Sequence, residues 1–366
     1  MLGLIDGVGL LPCMHERVVW LGTEEPFAKA QEGMAVHHGL TLSVEQVRQR
    51  TEEAGRVYAA LQTEEPAGGG ADEASLGILD RQMVCVDAAK VRVIGQGWCD
   101  AKTLTIGRVR ADGSATDFSY FSRMMECHAF AQAARGEAAR RGLAASQAVC
   151  AVMDGADYNQ DVVDVLRPDA VRILDFYHAT EHLAAAGKAV WGEDSPALPP
   201  WLEPIRHTLR HGTPDAILAQ LSDWAAAHPA QAIPINAELA YFTKRRDQIA
   251  YVAFERQGWP VGSGSGESAH KTVLQARMKR AGMRWDRCNV NPMLALRNLT
   301  CSQRWRTDWE RIPQRLCVPA CPSPDLPDHA SPPSPLLPNF QLRSAVPWRK
   351  RPVGRARFAS SGTQKS

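Results

Sequence analysis

Apolar and polar positions near the start of the chain repeat at helical spacing. Residues 26–39 and 43–61 read as two helices around a turn at Gly39. Ser43 and Gln46 make a capping-box pattern, and Val44, Val47, Thr51 and Ala54 follow at helical intervals. The short glycine turn is compatible with a helix-turn-helix. It fits a plain helical hairpin equally well, because Glu45, Glu52 and Glu53 offset Arg48, Arg50 and Arg56. Residues 1–25 give no clear pattern. QTEEPAGGGADEAS (62–75) reads as a flexible acidic linker.

From Met83 the pattern turns to strands. MVCVDAAKVRV (83–93) is one, LTIGRVR (104–110) a second, and Asp117 to Met124 a third after the Asp112-Gly113 turn signal. Residues 126–142 are alanine-rich and helical. QAVCAVMDGADYN gives a buried strand ending at Asp154-Gly155, residues 158–166 a short helix, and 170–176 a strand running into a helix. Strand, strand, strand, helix, strand, helix, strand is the order of a ribonuclease-H-like core. The expected fold is therefore α/β, a mixed sheet flanked by helices. The chain divides into a small helical N-terminal region (1–61), a linker (62–80), the first part of the catalytic core (81–181) and a helical insertion (182–258). The last catalytic helix with a basic helical region (259–315) and a Pro-rich, basic, disordered tail (316–366) follow.

The stretch Val261 to Trp285, VGSGSGESAHKTVLQARMKRAGMRW, organises the rest. Its interleaved glycines and serines predict a tight loop, with Ser265 as a helix cap. A helix then carries Ala269, Val273, Ala276 and Arg280 along one side and stops at Gly282. Glu267 falls in its first turn. Lys271, Arg277 and Lys279 lie on the other face, with Arg280 at the border between the two and Arg284 just beyond. A carboxylate at the head of a basic helix suits work beside phosphates, one holding metal and the others holding backbone. A surface helix with an acidic first turn that favours the macrodipole is the plainer alternative. The loop is not a P-loop, since no Gly-Lys-Ser/Thr ending follows it.

Charge distribution sharpens this. The net charge is only +2, but residues 1–80 carry 13 acidic and 5 basic side chains, and residues 270–315 carry 11 basic and 3 acidic. Residues 341–366 add 7 basic and no acidic ones, so anion binding is expected in the C-terminal part. Nine scattered cysteines suggest a reducing compartment. Cys317, Cys321 and His329 lack a second ligand pair. Asp6 interrupts the first apolar run, which excludes a signal peptide, and no run is long enough to cross a membrane.

Three acids stand where a nuclease-type site needs them: Asp87 inside the first strand, Asp154 at the tip of the fourth and Glu267 on the late helix. Asp in a strand interior is disfavoured, which singles out Asp87. Such carboxylates repel unless cations bridge them. Two Mg²⁺ ions would answer that, one activating water or a 3′-hydroxyl and the other stabilising the leaving oxygen; Mn²⁺ could substitute. Asp175 and His178 form a D-x-x-H that orients the metal or substrate, or else simply caps the next helix. A competing match is His178-Ala179-Thr180-Glu181-His182, H-x-x-E-H, a zinc peptidase motif that still needs a third ligand. Trp285, Trp305 and Trp309 are candidates for base stacking or for the core.

ILDFYHATEHL, the block from Val261 to Trp285 and MLALRNL resemble the bacterial insertion-sequence transposases of the ISKra group, relatives of Mutator-like transposases. VCVDAAKVRV with KTLTIGRV, and VMDGADYN, match earlier blocks in the same order. The resemblance spans about residues 16–310. It implies a DDE metal site of Asp87, Asp154 and Glu267, with Asp175 and His178 as the D-x-x-H pair. It implies DNA cleavage and strand transfer at transposon ends into target DNA. The partner would be DNA, with homo-oligomers assembling on it, and the location cytoplasmic and nucleoid-associated. Lys271, Arg277, Lys279, Arg280 and Arg284 would hold phosphates. Ala88 stands where the family usually has glycine after the first acid, and the N-terminal region is shorter than in relatives. A DNA-binding remnant without catalysis is the alternative within the family.

Overall fold

The computed structural model describes residues 10–64, 81–262 and 264–316, with the backbone alone at Ser265 and Glu267. Most of the expected linker, the Pro-rich tail with Cys317, Cys321 and His329, and the Glu267 side chain lie outside the described residues.

Three helices open the described chain: α1 (Pro12–Glu24), α2 (Phe27–His38) and α3 (Val44–Thr63). Pro12 starts α1, a good use of a residue whose missing N–H costs nothing there. Gly39 ends α2 at φ 61°, and the Ser43–Gln46 capping box is formed in both directions. The sequence pattern left α1 unassigned, and α3 runs two residues into the expected linker. Val19 of α1 and Ala54, Tyr58 and Leu61 of α3 share a core with a late helix, α13 (Arg287–Cys301), through Ala295, Leu296 and Leu299. The two ends of this region thus bury each other's apolar faces.

His15 of α1 sits in that region with its ring 5.6 Å from Trp309 and neither nitrogen partnered. Burial, helped by Arg50, pulls its pKa from 6.5 to about 4. The unfolded chain therefore binds a proton that the folded one refuses, and stability falls as pH drops from 6.5 towards 4. At ~1.4 kcal/mol per pKa unit the loss reaches about 3 kcal/mol. Urea unfolding at pH 7 and pH 4.5 should show it, and His15→Phe should flatten the slope.

The sheet has five strands: β1 (Arg81–Val93), β2 (Gly97–Val109), β3 (Ala115–Arg123), β4 (Ala148–Met153) and β5 (Val171–Leu174). Their spatial order is β3-β2-β1-β4-β5. The first three pair antiparallel, while β4 and β5 run parallel to β1, so the sheet is mixed. β2 starts seven residues before its expected position. Its polar first half pairs with the far end of β1, where Lys90 and Asp100 make an ion pair at 3.3 Å. Cross-strand charge pairing supplies what the apolar pattern lacks there.

Helices cover both faces. Val84, Val86, Val149 and Ala151 pack under α4 (Cys127–Arg140) and α5 (Asp157–Leu166). Met83, Cys85, Cys150, Val152 and Ile173 face the other way. They meet α6 (Phe176–Trp191) and four further helices, α7 (Leu198–His211), α8 (Pro214–Ala227), α9 (Ala232–Lys244) and α10 (Tyr251–Arg256). The far half of β1 packs its Ala89, Val91 and Val93 against Leu274, Met278, Trp285 and α13.

The chain reaches that position through α11 (Gly264–Ala269), a π-helical stretch (His270–Gln275) and α12 (Ala276–Met278). The helix ends before the expected stop at Gly282, which instead sits in the following turn at φ 74°. Trp285 explains the early exit. Its backbone pairs with the end of β1, N–H to Arg92 O at 3.0 Å, and its indole donates to Met278 O at 3.1 Å. Two short helices, α14 (Trp305–Asp308) and α15 (Arg311–Leu316), finish the described chain. No helix among the described residues is long and apolar enough to cross a membrane.

Candidate active site

Strand register places three aspartates in one row. Met83 of β1 lies opposite Cys150 of β4, and Cys150 opposite Val171 of β5. Asp87, Asp154 and Asp175 each stand four residues further along their own strand's path. Side chains alternate with a period of two, so all three point to the face of Met83, Cys85 and Cys150. The Asp175 N–H still donates to Met153 O at 2.7 Å, carrying the β4–β5 pairing to that level. The buried Cys85 thiol is pushed well up, first by burial and then by the charges of Asp87, Asp175 and Asp154. One thiol therefore feels all three acids.

Each carboxylate is held differently. Asp87 Oδ1 accepts from the Ala88 N–H at 2.7 Å, and Oδ2 lies 3.3 Å from His270 Nδ1. Burial raises the Asp87 pKa and Asp154 adds to the rise, while His270 and His178 oppose it. Asp154 Oδ1 accepts from the Ala156 N–H at 2.9 Å and Asn159 Nδ2 at 2.8 Å, an Asx turn that leaves Oδ2 unused by the turn. Gly155 has φ 84°, and a Cβ there would lie 2.5 Å from the Tyr241 hydroxyl. Tyr241 donates to Asp154 O and Arg245 Nε to Gly155 O, so α9 clamps the strand end. Asp175 is buried and caps α6, its Oδ1 accepting from the N–H groups of Tyr177 and His178. The capping role expected as the plainer reading of Asp175 is therefore present.

The loop before α11 runs over this row. Phe176 N–H donates to Val261 O at 3.0 Å, and a Cβ on Gly262 would sit 4.0 Å from Asp175 Oδ2. A Cβ on Gly266 would fall 2.5 Å from Cys85 Sγ. Only glycine permits that approach, and it sets the first turn of α11 directly on β1. The next residue is Glu267, in the same helical turn that Gly266 packs against β1.

The H-x-x-E-H residues diverge. His182 Nδ1 lies 2.6 Å from Glu238 Oε2, and its ring stacks on Tyr241 at 3.6 Å. His178 Nδ1 lies 3.1 Å from Glu181 Oε2, on the solvent side, and bears on Asp87 rather than on His182. Two imidazoles one turn apart are thus committed to different neighbours.

Of the basic residues, Lys271, Lys279, Arg280 and Arg284 are exposed. Arg280 pairs with Glu25 at 2.7 Å, and Lys279 Nζ lies 5.7 Å from the Trp98 ring. Arg277 corrects the expectation. It is buried, donates through Nε and Nη2 to Gly22 O at 3.1 and 3.0 Å, and packs on the Phe27 and Trp285 rings. Burial, with Arg280 and Arg297 nearby, lowers its pKa to about 10. A guanidinium so placed ties α12 to α1 and is turned away from any phosphate. The π-helical stretch is the cause. Buried positions recur every four residues, Ala269/His270, Val273/Leu274 and Arg277/Met278, where α-helical spacing would bury Ala276 instead. Trp285, Trp305 and Trp309 are all buried, which leaves them in the core.

Sequence reasoning missed His270. It stands within the stretch singled out, three residues after Glu267, and no pattern in the sequence marked it.

Among the described residues no three His, Cys, Asp or Glu side chains gather as a metal site, and the third expected acid, Glu267, is described by its backbone alone. The donor set present is oxygen-rich and mutually repelling, which suits a hard divalent cation. Compared with protein-family models and with curated proteins, the chain matches none.

Proposed function

We propose that this chain is a DNA transposase of the DDE type, built on a ribonuclease-H-like core. The observation that carries the reading is the aspartate row formed by Asp87 of β1 and the carboxyl ends of β4 and β5, with the first turn of α11, in which Glu267 stands, packed on β1 through Gly266. Strand order, parallel β1–β4 pairing and the late helix packed on β1 all agree with that architecture. Carboxyl ends of parallel strands are where open α/β sheets place their ligands.

Asp87, Asp154 and Glu267 would hold divalent cations, Mg²⁺ or Mn²⁺. When bound, two such ions supply an activated oxygen nucleophile and charge stabilisation for in-line displacement at phosphorus. The chain's own residues prepare for this. The Asx turn and the Tyr241–Arg245 clamp fix the Asp154 carboxylate before anything binds. Asp175 seats the first turn of α6, and with it the backbone of His178. Lys271, Lys279, Arg280 and Arg284 offer cations along the exit from the last catalytic helix, where a DNA backbone would run.

Salt dependence separates these cations from Arg277. Lys279→Ala and Arg284→Ala should each lower the slope of log affinity against log salt by about one, the value for one phosphate contact. Arg277→Ala should lower the unfolding midpoint and leave that slope unchanged in the protein that folds. The direct test of the reading is nicking of a labelled fragment carrying the DNA that flanks the coding sequence. Nicking that requires Mg²⁺ or Mn²⁺ supports it, and intact DNA with both metals contradicts it.

A further inference from the structure

We propose that His270 is a positioning residue that holds the Asp87 carboxylate ready for a divalent cation, an inference that rests on the metal-site reading above.

His270 opens the π-helical stretch and is 8% exposed. Its Nδ1 lies 3.3 Å from Asp87 Oδ2. Nε2 is buried without a hydrogen-bond partner. A buried polar atom left unsatisfied costs about 1–3 kcal/mol, and a leucine could fill the same space without that cost. The ring's polar commitments therefore converge on Asp87. Packing alone gives no reason for an imidazole here.

The other side of the carboxylate is also engaged, since Oδ1 accepts from the Ala88 N–H. Each carboxylate oxygen has two lone pairs, so one on each oxygen stays available after these contacts. The group is thus fixed in rotation yet still able to bind a cation. This is how a ligand's hydrogen-bonded neighbour tunes a metal site: it sets the orientation without touching the ion. The helix geometry serves the same end. π-turns inside helices recur at functional sites, and this one keeps Val273, Leu274 and Met278 packed below while His270 stays over β1. Gly266 sets the height of the helix against Cys85, two residues before Asp87 on the same face.

The test is Mn²⁺ binding to the full chain without DNA, followed by electron paramagnetic resonance of the free ion. Four variants are compared with wild type: His270→Leu, His270→Asn, His270→Gln and Asp87→Asn. His270→Leu should bind Mn²⁺ about 10- to 100-fold more weakly, the usual effect of losing such a neighbour. His270→Asn should recover most of the affinity, because its amide nitrogen occupies the place of Nδ1. His270→Gln reaches towards Nε2 instead and should recover less. Wild-type affinity in His270→Leu overturns the proposal while leaving the metal site standing. Equal weakening by Asn, Gln and Leu also overturns it, since the effect would then be packing. If His270→Leu does not fold, the order of Asn over Gln decides. Wild type without Mn²⁺ binding, or Asp87→Asn binding as wild type does, overturns the metal-site reading and this inference with it.

Discussion

Replacing Arg304 by methionine should cost about 3–5 kcal/mol of folding stability. Its guanidinium meets Glu137 through two bonds of 2.8 and 2.7 Å, and the Glu137 side chain is fully buried. Burial pushes the Glu137 pKa up, but the charge and hydrogen bonds of Arg304 outweigh it and hold the carboxyl below its ordinary value. Taking Arg304 away leaves a buried carboxylate whose nearest remaining ion-pair partner is Arg140, 3.7 Å away. The pair joins α4 to the turn after α13, so the loss falls on the seam between sheet and terminal helices. Urea unfolding measures it. Replacing both partners, Glu137→Leu with Arg304→Met, should recover most of the loss, because two well-packed apolar groups avoid the desolvation penalty. The pH dependence has a fixed sign. The folded pKa is lowered, so the pair's contribution is complete above the ordinary carboxylate range and is lost as pH falls through the lower folded value. Equal stability of Arg304→Met and wild type would remove the pair from the account.

Neutralising Asp87 or Asp154 should do two opposite things. Asp87→Asn and Asp154→Asn should each lower metal-dependent DNA cleavage by on the order of a thousandfold, as expected when several kcal/mol of charge stabilisation disappear. In metal-free buffer the same variants should unfold at the same or higher temperature than wild type. Asp87 has its pKa raised by burial and by Asp154, so its charged form is carried at a cost that asparagine avoids. Added Mg²⁺ should raise the wild-type midpoint and leave the variants where they were. A strand-end aspartate serving only as a turn residue would give the reverse for Asp154→Asn: lower stability and no change in any metal response.

Much of the frame was legible because local and long-range signals agree there. Val84, Val86, Val149 and Ala151 are apolar on one face and Met83, Cys85, Cys150 and Val152 on the other, so β1 and β4 read as buried strands. Ser43 and Gln46 announced α3 by capping chemistry that needs no tertiary partner. Asp87 stood out because a strand interior rarely accepts it. α1 was missed because Val18, Val19, Trp20 and Leu21 are contiguous, and a run of that kind carries no helical period. The early start of β2 depends on Lys90 across the hairpin, which no local pattern reveals. Arg277 was misplaced because periodicity assumes 3.6 residues per turn, and the π-helical stretch shifts the buried face by one residue. His270 was passed over for a related reason. Its role is defined by Asp87, a residue far away in the chain that only the folding of α11 onto β1 brings near.

The measurement that tests the central claim most directly is strand cleavage and transfer by wild type and by Glu267→Gln. The substrate is a labelled DNA fragment carrying the DNA that flanks the coding sequence, in Mg²⁺. Wild type should nick the fragment and join its 3′ end to target DNA, and Glu267→Gln should bind the fragment with unchanged salt dependence and do neither. Undiminished cleavage by Glu267→Gln would contradict the assignment of the acidic row and its helix as one metal site.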